Sequence, residues 1–369
     1  MTTAAKHDLR EVASHFQLDG RFIDAVPYGN GHINDTYASR FETSAGIVRY
    51  IHQRINHNVF RDPPSLMENI ERVTSYARER IMAAGGNPDR ESLTLLPTLE
   101  GKSYYRCPEG NYWRTYIFIE GARTYDQAEN VGQVYSAAKA FGQFQKLLST
   151  LPGKRLNETI PYFHHTGRRF ENFLGALEAD SANRAASVGP EIDFVLSRKA
   201  ETSVLVDMLE RGELPERVTH NDTKINNVMI DDVTGEGVCV IDLDTVMPGS
   251  ALYDFGDSVR TGAAAAAEDE LDLSKVRLDL ELFEHLTHGY LDSAREFLTP
   301  VEIEYMPFSA KLMTLECGIR FLTDYLQGDI YFKIHREHHN LDRARTQFAM
   351  VEDMDRKAEQ MRAIVDRYR

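Results

Sequence analysis

The sequence predicts a two-lobed α+β protein in which a small antiparallel sheet lobe precedes a larger, mainly helical one. Three observations lead there. At 369 residues the chain exceeds a compact domain, whose usual size is ~100–150 residues. β-Prone runs crowd the chain before Gly121 with one long helical pattern among them, whereas helical periodicity dominates after Asp126. Between the helical stretches lies Arg217 to Arg260, a segment of short strands that carries an unusual density of polar groups.

Leu9, Val12, Ala13 and Phe16 recur at helical spacing, so a short helix over Asp8 to Leu18 opens the chain. Phe22 to Val26 reads as a strand running into Tyr28-Gly29-Asn30-Gly31-His32-Ile33-Asn34, and Thr36 to Phe41 reads as a second strand. The Gly-x-Gly turn between them lets backbone approach a phosphate. Asn34 stands where a third glycine would complete that pattern, and Gly-Asn-Gly is equally a hairpin turn. Gly46 to Ile55 is the third strand. Asp62-Pro63-Pro64-Ser65 starts a helix whose apolar face of Leu66, Ile70, Val73, Ala77 and Ile81 runs to about Ala84. Leu93 to Leu99 and Tyr112 to Ile119 are further strands. The second ends in Phe118-Ile119-Glu120-Gly121, where we place the boundary between lobes 1–121 and 122–369.

From Asp126 to Leu151, Val131, Val134, Ala138, Phe141, Phe144 and Leu147 mark a core helix. The pair His164-His165 invites a metal reading, but adjacent histidines on a regular element cannot both face one ion, and no carboxylate follows at ligand spacing. Ala263 to Ala267, followed by acidic sequence, reads as a mobile loop. Asp279 to Phe297, Glu302 to Asp329 and Asp342 to Tyr368 read as helices. His335, His338 and His339 have spacings that would bring them together on a helix; we read them as a solvated, charged face rather than a metal site.

Composition narrows the function. A formal charge of −15 argues against nucleic-acid binding, which draws on Lys and Arg at phosphates, and against anionic membranes. A neutral acceptor would not feel that charge, whereas a cationic one would be attracted. Three scattered cysteines, Cys107, Cys239 and Cys317, offer neither a disulfide framework nor a zinc site and suit a reducing cytoplasm. The first twenty residues lack the apolar core of a signal peptide, and no stretch is long enough to span a bilayer. A cytoplasmic monomer or homodimer is expected.

The chemistry concentrates in His220-Asn221-Asp222, Asn227 and, after a hairpin-like link, Ile241-Asp242-Leu243-Asp244. Phosphoryl transfer asks a protein for one carboxylate to orient the attacking hydroxyl and a few oxygen ligands to hold Mg²⁺ on the phosphates. Asp222 fits the first role. Asn227 supplies an amide oxygen, and Asp242, at the end of an apolar run, supplies a carboxylate. His220 fits a loop-organising hydrogen bonder better than a base.

The pattern His-x-Asp-x-x-x-x-Asn followed by Ile-Asp-x-Asp resembles the aminoglycoside phosphotransferase-like kinases, bilobal relatives of the protein kinases. The longer string THNDTKINN…VIDLDTVMPG…YDFGDS resembles more narrowly the N-acetylhexosamine 1-kinases, which phosphorylate the anomeric hydroxyl of N-acetylglucosamine and N-acetylgalactosamine. The resemblance implies ATP as co-substrate, Asp222 as catalytic aspartate, Asn227 and Asp242 as Mg²⁺ ligands, and Asp244 as a further ligand or an outer carboxylate. Asp254-Phe255-Gly256 spells the kinase metal tripeptide, but Asp242 holds that position. Asp254 is then either the aspartate that braces the catalytic loop or a helix N-cap.

On the same resemblance Gly29, Gly31, His32 and Asn34 would contact ATP phosphates. Kinase-like folds also carry a cation on the third strand, paired with a helix glutamate; lysine is absent here. Arg54 is the candidate, Gln53 the alternative if the register shifts by one, and Glu68 or Glu71 the partner. Phe118 and Glu120 would offer linker groups to adenine. For the sugar, His164, Arg168 and Arg169 are candidates beside Arg320, Asp324, Tyr325 and Tyr331 near the C-terminal Gly318-Ile319-Arg320-Phe321 segment. Two other functions stay open: a kinase of aminoglycosides or other alcohols, and a nucleotide-binding protein without turnover.

Overall fold

The computed structural model describes residues 7–29 and 33–369. The chain opens with α1 (Leu9–Ser14), β1 (Arg21–Pro27), β2 (Asp35–Thr43), β3 (Gly46–Ile55), α2 (Pro63–Ala83), α3 (Pro88–Glu91), β4 (Leu95–Leu96), β5 (Tyr105–Arg106) and β6 (Tyr112–Ile117). These strands form one antiparallel sheet in the order β1-β2-β3-β6-β4, with β5 also on β6. Alternation sorts its side chains. One face carries Tyr37 and Trp113 against Leu9, Val12 and Phe16 of the N-terminal segment. The other carries Ile55 and Tyr116 into the main core with Leu66, Ile70 and Val73 of α2.

The chain changes sheet between Ile117 and Ala122. Next come β7 (Ala122–Arg123), α4 (Val131–Leu148), α5 (Thr166–Ala179), α6 (Gly189–Ser197), α7 (Val204–Glu210), β8 (Arg217–Thr219), β9 (Val228–Asp231), β10 (Gly237–Val240) and β11 (Met247–Gly249). Helices α8 (Ala251–Gly262), α9 (Leu280–Ala294), α10 (Pro300–Gln327), α11 (His339–Arg356) and α12 (Ala358–Tyr368) complete it. β9 lies between β10 and β7, and β8 pairs with β11, so two short ladders deliver the polar segments from opposite sides. Most of the helices surround them. The result is the bilobal kinase-like α+β architecture expected from the sequence.

Local chemistry explains the element ends. Asp62 caps α2 ahead of two prolines, Asn130 caps α4, and Thr299 with Glu302 forms a capping box on α10, which stops at Gly328 with φ +95°. Four expectations change. The strand expected over Leu93 to Leu99 shrinks to two residues. The last helix is two helices broken at Lys357, where no glycine or proline signals the break. Ala263 to Ala267 is pinned rather than loose: Ala263 is buried, Ala265 N–H donates to Arg277 at 3.0 Å, and Ala264 bridges Leu278. His335 and His338 precede α11, which starts at His339, and His339 is buried with Nε2 at 3.0 Å from Asp269.

Candidate active site

The catalytic loop follows β8 and is held by its backbone. Asp254, fully buried on α8, accepts from the His220 N–H at 2.9 Å and the Asn221 N–H at 2.7 Å. Gln145 of α4 donates to the same carboxylate at 2.5 Å. The cap of α8 is Ser250, so Asp254 braces the loop and does not cap the helix. Asn221 takes a left-handed conformation, φ 65°, that asparagine tolerates, and its side-chain amide donates to the Thr245 carbonyl at 2.9 Å. His220 Nδ1 accepts the Asp222 N–H at 3.3 Å, which fixes the proton on Nε2, and Nε2 donates to the Ile241 carbonyl at 2.8 Å. His220 therefore ties the loop to the residue before Asp242.

Asp222 stands at the end of this scaffold. Its Oδ1 lies 2.7 Å from Lys224 Nζ. Its Oδ2 and main-chain oxygen accept from Asn227 Nδ2 at 3.2 and 2.8 Å. Burial pushes the Asp222 carboxyl up, but Lys224, with His220 and Arg260, outweighs it and holds the group below its ordinary value. In return, the Asp222 charge carries Lys224 up to about 12. Lys224 is a member of this candidate site that the sequence reading passed over, although a lysine two residues after the aspartate was its signal.

A metal is testable on the donor set. The Asn227 amide nitrogen is spent on Asp222, which leaves its oxygen available. Asp242 has φ 60° and is exposed; the enclosing protein and the neighbouring Asp244 and Asp222 charges push its carboxyl up to about 6. That is a carboxylate short of positive charge, the condition a divalent cation relieves. Among the described residues no three His, Cys, Asp or Glu side chains converge on a metal position. An ion here would rest on amide, carboxylate and phosphate oxygens together, which suits Mg²⁺.

Asp244 is engaged elsewhere. Its Oδ1 pairs with Arg114 of β6 in a fully buried ion pair, and its Oδ2 accepts from Asn34 at 2.5 Å. Both oxygens are occupied, so the geometry fits an outer carboxylate rather than a ligand. Arg114 also corrects the third-strand assignment. Gln53 and Arg114 sit opposite each other across β3 and β6, and Gln53 Oε1 accepts from Arg114 Nε and Nη2 at 3.1 and 2.9 Å. Arg54 points to the opposite face, where Nε donates to Asp35 at 2.5 Å. The buried cation on the Gln53 face of the sheet is Arg114, one strand over, within the predicted Tyr112 to Ile119 strand.

Glu68 does not pair with a sheet cation; it bonds Lys154 at 2.7 Å and Asn157 at 3.2 Å. The α2 residue that reaches the core of the site is Asn69, which donates to the Val246 carbonyl at 3.0 Å. In the linker, Arg49 lies 3.6 Å over the Phe118 ring and donates to Glu120 at 2.8 Å, so the Glu120 carboxylate is turned back onto β3. Gly29 has φ +77° with open space where a Cβ would stand. Gly31 and His32 lie outside the described residues.

The expected sugar contacts divide. His164 is buried and structural: Nε2 donates to the Asn221 carbonyl at 2.9 Å, and Nδ1 meets Glu316 at 2.8 Å. Asp324 is buried too, accepting from the Ile330, Tyr331 and Phe332 N–H groups and from Asn340. Neither offers a free group to a ligand. Tyr325 is buried with its hydroxyl 2.9 Å from His338. Arg320 remains, placed 5.5 Å from both the Phe163 and Phe332 rings, with exposed Tyr331 edge-on to Phe332. Arg168 stacks on Tyr162 at 3.9 Å, and Arg169 bonds the Phe163 carbonyl at 2.7 Å.

Comparison with known proteins agrees with this fold. The fold matches an aminoglycoside phosphotransferase from Alicyclobacillus acidocaldarius with TM-score 0.61, 13% identity and 99% and 98% of the two chains covered. It also matches a microcompartment-associated aminopropanol kinase with TM-score 0.57, 13% identity and coverage of 96% and 98%. The amicoumacin kinase hAmiN, in complex with AMP-PNP, Ca²⁺ and its ligand, gives TM-score 0.55 at 15% identity, covering 94% and 92%. The sequence model of the phosphotransferase enzyme family matches residues 24–292, from the first strand through the catalytic loop into α9. With the three sheets, save the first residues of β1, and the Asp222 loop inside that span, the chain belongs to the phosphotransferase enzyme family.

Proposed function

We propose that this protein transfers the γ-phosphoryl group of ATP to the anomeric C1 hydroxyl of an N-acetylhexosamine, giving a sugar 1-phosphate. The observation that carries the reaction is the convergence of Asp222, Lys224, Asn227 and Asp242 on one braced loop pair. The acceptor rests on the string THNDTKINN…VIDLDTVMPG…YDFGDS, whose resemblance runs through that loop pair. Asp222, ionised at neutral pH, accepts a hydrogen bond from the C1 hydroxyl and receives its proton as the oxygen attacks. Lys224, already on Asp222, is positioned to share its charge with the transferring group. Asn227 Oδ1 and the Asp242 carboxylate would hold Mg²⁺, which supplies charge neutralisation on the phosphates.

Residues 1–121 serve as the nucleotide lobe and 122–369 as the catalytic and acceptor lobe in this reading. Arg320 and Tyr331 provide the polar and aromatic groups that sugars use. A reducing cytoplasm suits the free Cys107, Cys239 and Cys317; no helix of the described residues is long and apolar enough to cross a membrane. A kinase of amino alcohols is the second reading, favoured by the names of two structural relatives, an aminopropanol kinase and a choline kinase. Phosphorus NMR with MgATP and N-acetylglucosamine or N-acetylgalactosamine separates them. A growing signal coupled to the anomeric proton supports the sugar kinase. ATP binding with no sugar product, and turnover of an amino alcohol, supports the other.

A further inference from the structure

One peptide unit sets the direction of the Asp222 carboxylate. The bond between Asn221 and Asp222 follows a left-handed residue, Asn221 at φ 65°, and both polar ends of its peptide plane meet an imidazole. The Asp222 N–H donates to His220 Nδ1 at 3.3 Å, and the Asn221 carbonyl accepts from His164 Nε2 at 2.9 Å. Turning that plane would swing Asp222 away from Lys224 and Asn227, which it now meets at 2.7 and 3.2 Å. His220 grips the plane from within the loop. His164 grips it from outside, from the segment just ahead of α5.

The surroundings of His164 decide its protonation. A carbonyl oxygen only accepts, so Nε2 carries a proton. Nδ1 lies 2.8 Å from Glu316 Oε1, while Glu316 Oε2 accepts from Thr166 Oγ1 at 2.6 Å; with both carboxylate oxygens accepting, Nδ1 carries a proton too. The pair is an imidazolium and a carboxylate with side-chain exposures of 5% and 1%. Burial works against both charges, but each holds the other, with Asp257 adding on the His164 side and Arg169 and Arg320 on the Glu316 side. An apolar pair of the same size would serve the fold as well, so these charges need another reason. Their place supplies it: a charge-assisted hydrogen bond is about twice as strong as a neutral one, and this one ends on the carbonyl next to Asp222.

We propose that His164 and Glu316 are positioning residues for phosphoryl transfer. The buried imidazolium locks the Asn221 to Asp222 peptide plane so that the carboxylate faces the acceptor hydroxyl, and Glu316 keeps the imidazolium protonated. Neither side chain touches a substrate. This rests on Asp222 as the proton acceptor and is the same for a sugar or an amino alcohol.

The test is kcat, with KM for ATP, across neutral to alkaline pH on whichever acceptor the enzyme turns over, for wild type, His164→Leu, His164→Gln, Glu316→Gln and the last two combined, with thermal melting at each pH. His164→Leu removes the donor and should lower kcat about a hundredfold with KM for ATP unchanged. His164→Gln, which still donates to the Asn221 carbonyl, should recover about tenfold of that loss, and Glu316→Gln should match it. The double variant should be no worse than either, because the two act as a unit. Wild-type kcat should decline as pH rises through the folded His164 value, a range in which Lys224, held up to about 12, keeps its charge; the decline should vanish in His164→Gln. A folded His164→Leu with wild-type kcat overturns the proposal, as do losses that simply add in the double variant. Should His164→Leu fail to fold, the pH profile of His164→Gln decides alone, and a retained alkaline decline overturns the pair. Near-normal turnover in Asp222→Asn instead removes the proton-acceptor reading, and the positioning role with it.

Discussion

The loop around Asp222 and the candidate acceptor face around Arg320 and Tyr331 spend their polar groups in opposite ways. Around Asp222, nearly every side chain is committed to holding backbone: Asp254 to two amides, His220 to Ile241, Thr245 Oγ1 to the His220 carbonyl at 2.7 Å. On the face near the C-terminal end of α10, Tyr331 is exposed and Arg320 lies against the Phe163 and Phe332 rings. A site that must stabilise one transition state is assembled before the substrate arrives. A surface that must admit a substrate keeps its bonding capacity in reserve.

Four experiments break or sharpen that contrast. Asp222→Asn keeps the loop scaffold but removes the proton acceptor, so turnover should fall ~10³-fold with ATP binding and melting temperature kept. Near-normal turnover would remove Asp222 from its role. Next, Arg114→Gln strands the Asp244 carboxylate in the core and should cost about 3–5 kcal/mol in urea unfolding, with a raised KM for ATP. Arg54→Gln, on the other face of the sheet, should leave KM for ATP alone. Equal effects of the two would reverse the strand assignment.

His164 sits where the two regions meet, and it gives a pH prediction. Burial pushes the His164 imidazolium down, but Glu316 outweighs it and raises the group above its ordinary value. A raised folded value means the pair stabilises fully below the unfolded histidine value of about 6.5 and loses that contribution as pH rises through the folded value. Glu316 is also buried, which pushes it up, yet His164 brings it below the ordinary range, so its share fades only in acid. His164→Gln should therefore flatten the decline of melting temperature above pH 6.5; an unchanged slope would mean another group is responsible. Smallest of all, Glu68→Gln removes a largely exposed pair with Lys154 and should change stability by under about 0.5 kcal/mol and KM for ATP not at all.

Legibility in the sequence followed the same division. The catalytic loop is one continuous string, so Asp222, Asn227, Asp242 and Asp254 could be read from spacing and resemblance. β3 and α2 matched their predicted ranges because alternation, the Asp62 cap and the paired prolines are local signals. Between Arg54 and Gln53 the sequence leaves the choice open, because a single strand does not disclose which of its faces turns toward the Asp222 loop; the pairing of Gln53 with Arg114, which bonds Asp244, does. His164 and Asp324 looked like ligand groups because sequence shows their chemistry and not their partners, Glu316 and Asn340. Helices α5 to α7 were missed altogether.

The Arg114 to Asp244 pair has one more consequence, for ionic strength. It joins the small sheet to the large lobe through a contact with 1% and 3% side-chain exposure, where mobile ions do not reach and screening is weak. The Arg49 to Glu120 pair at the linker is exposed at 36% and 61% and is open to screening. Added salt should therefore loosen the outer edge of the nucleotide cleft while its inner seam holds, giving a hinge that softens from the rim inward.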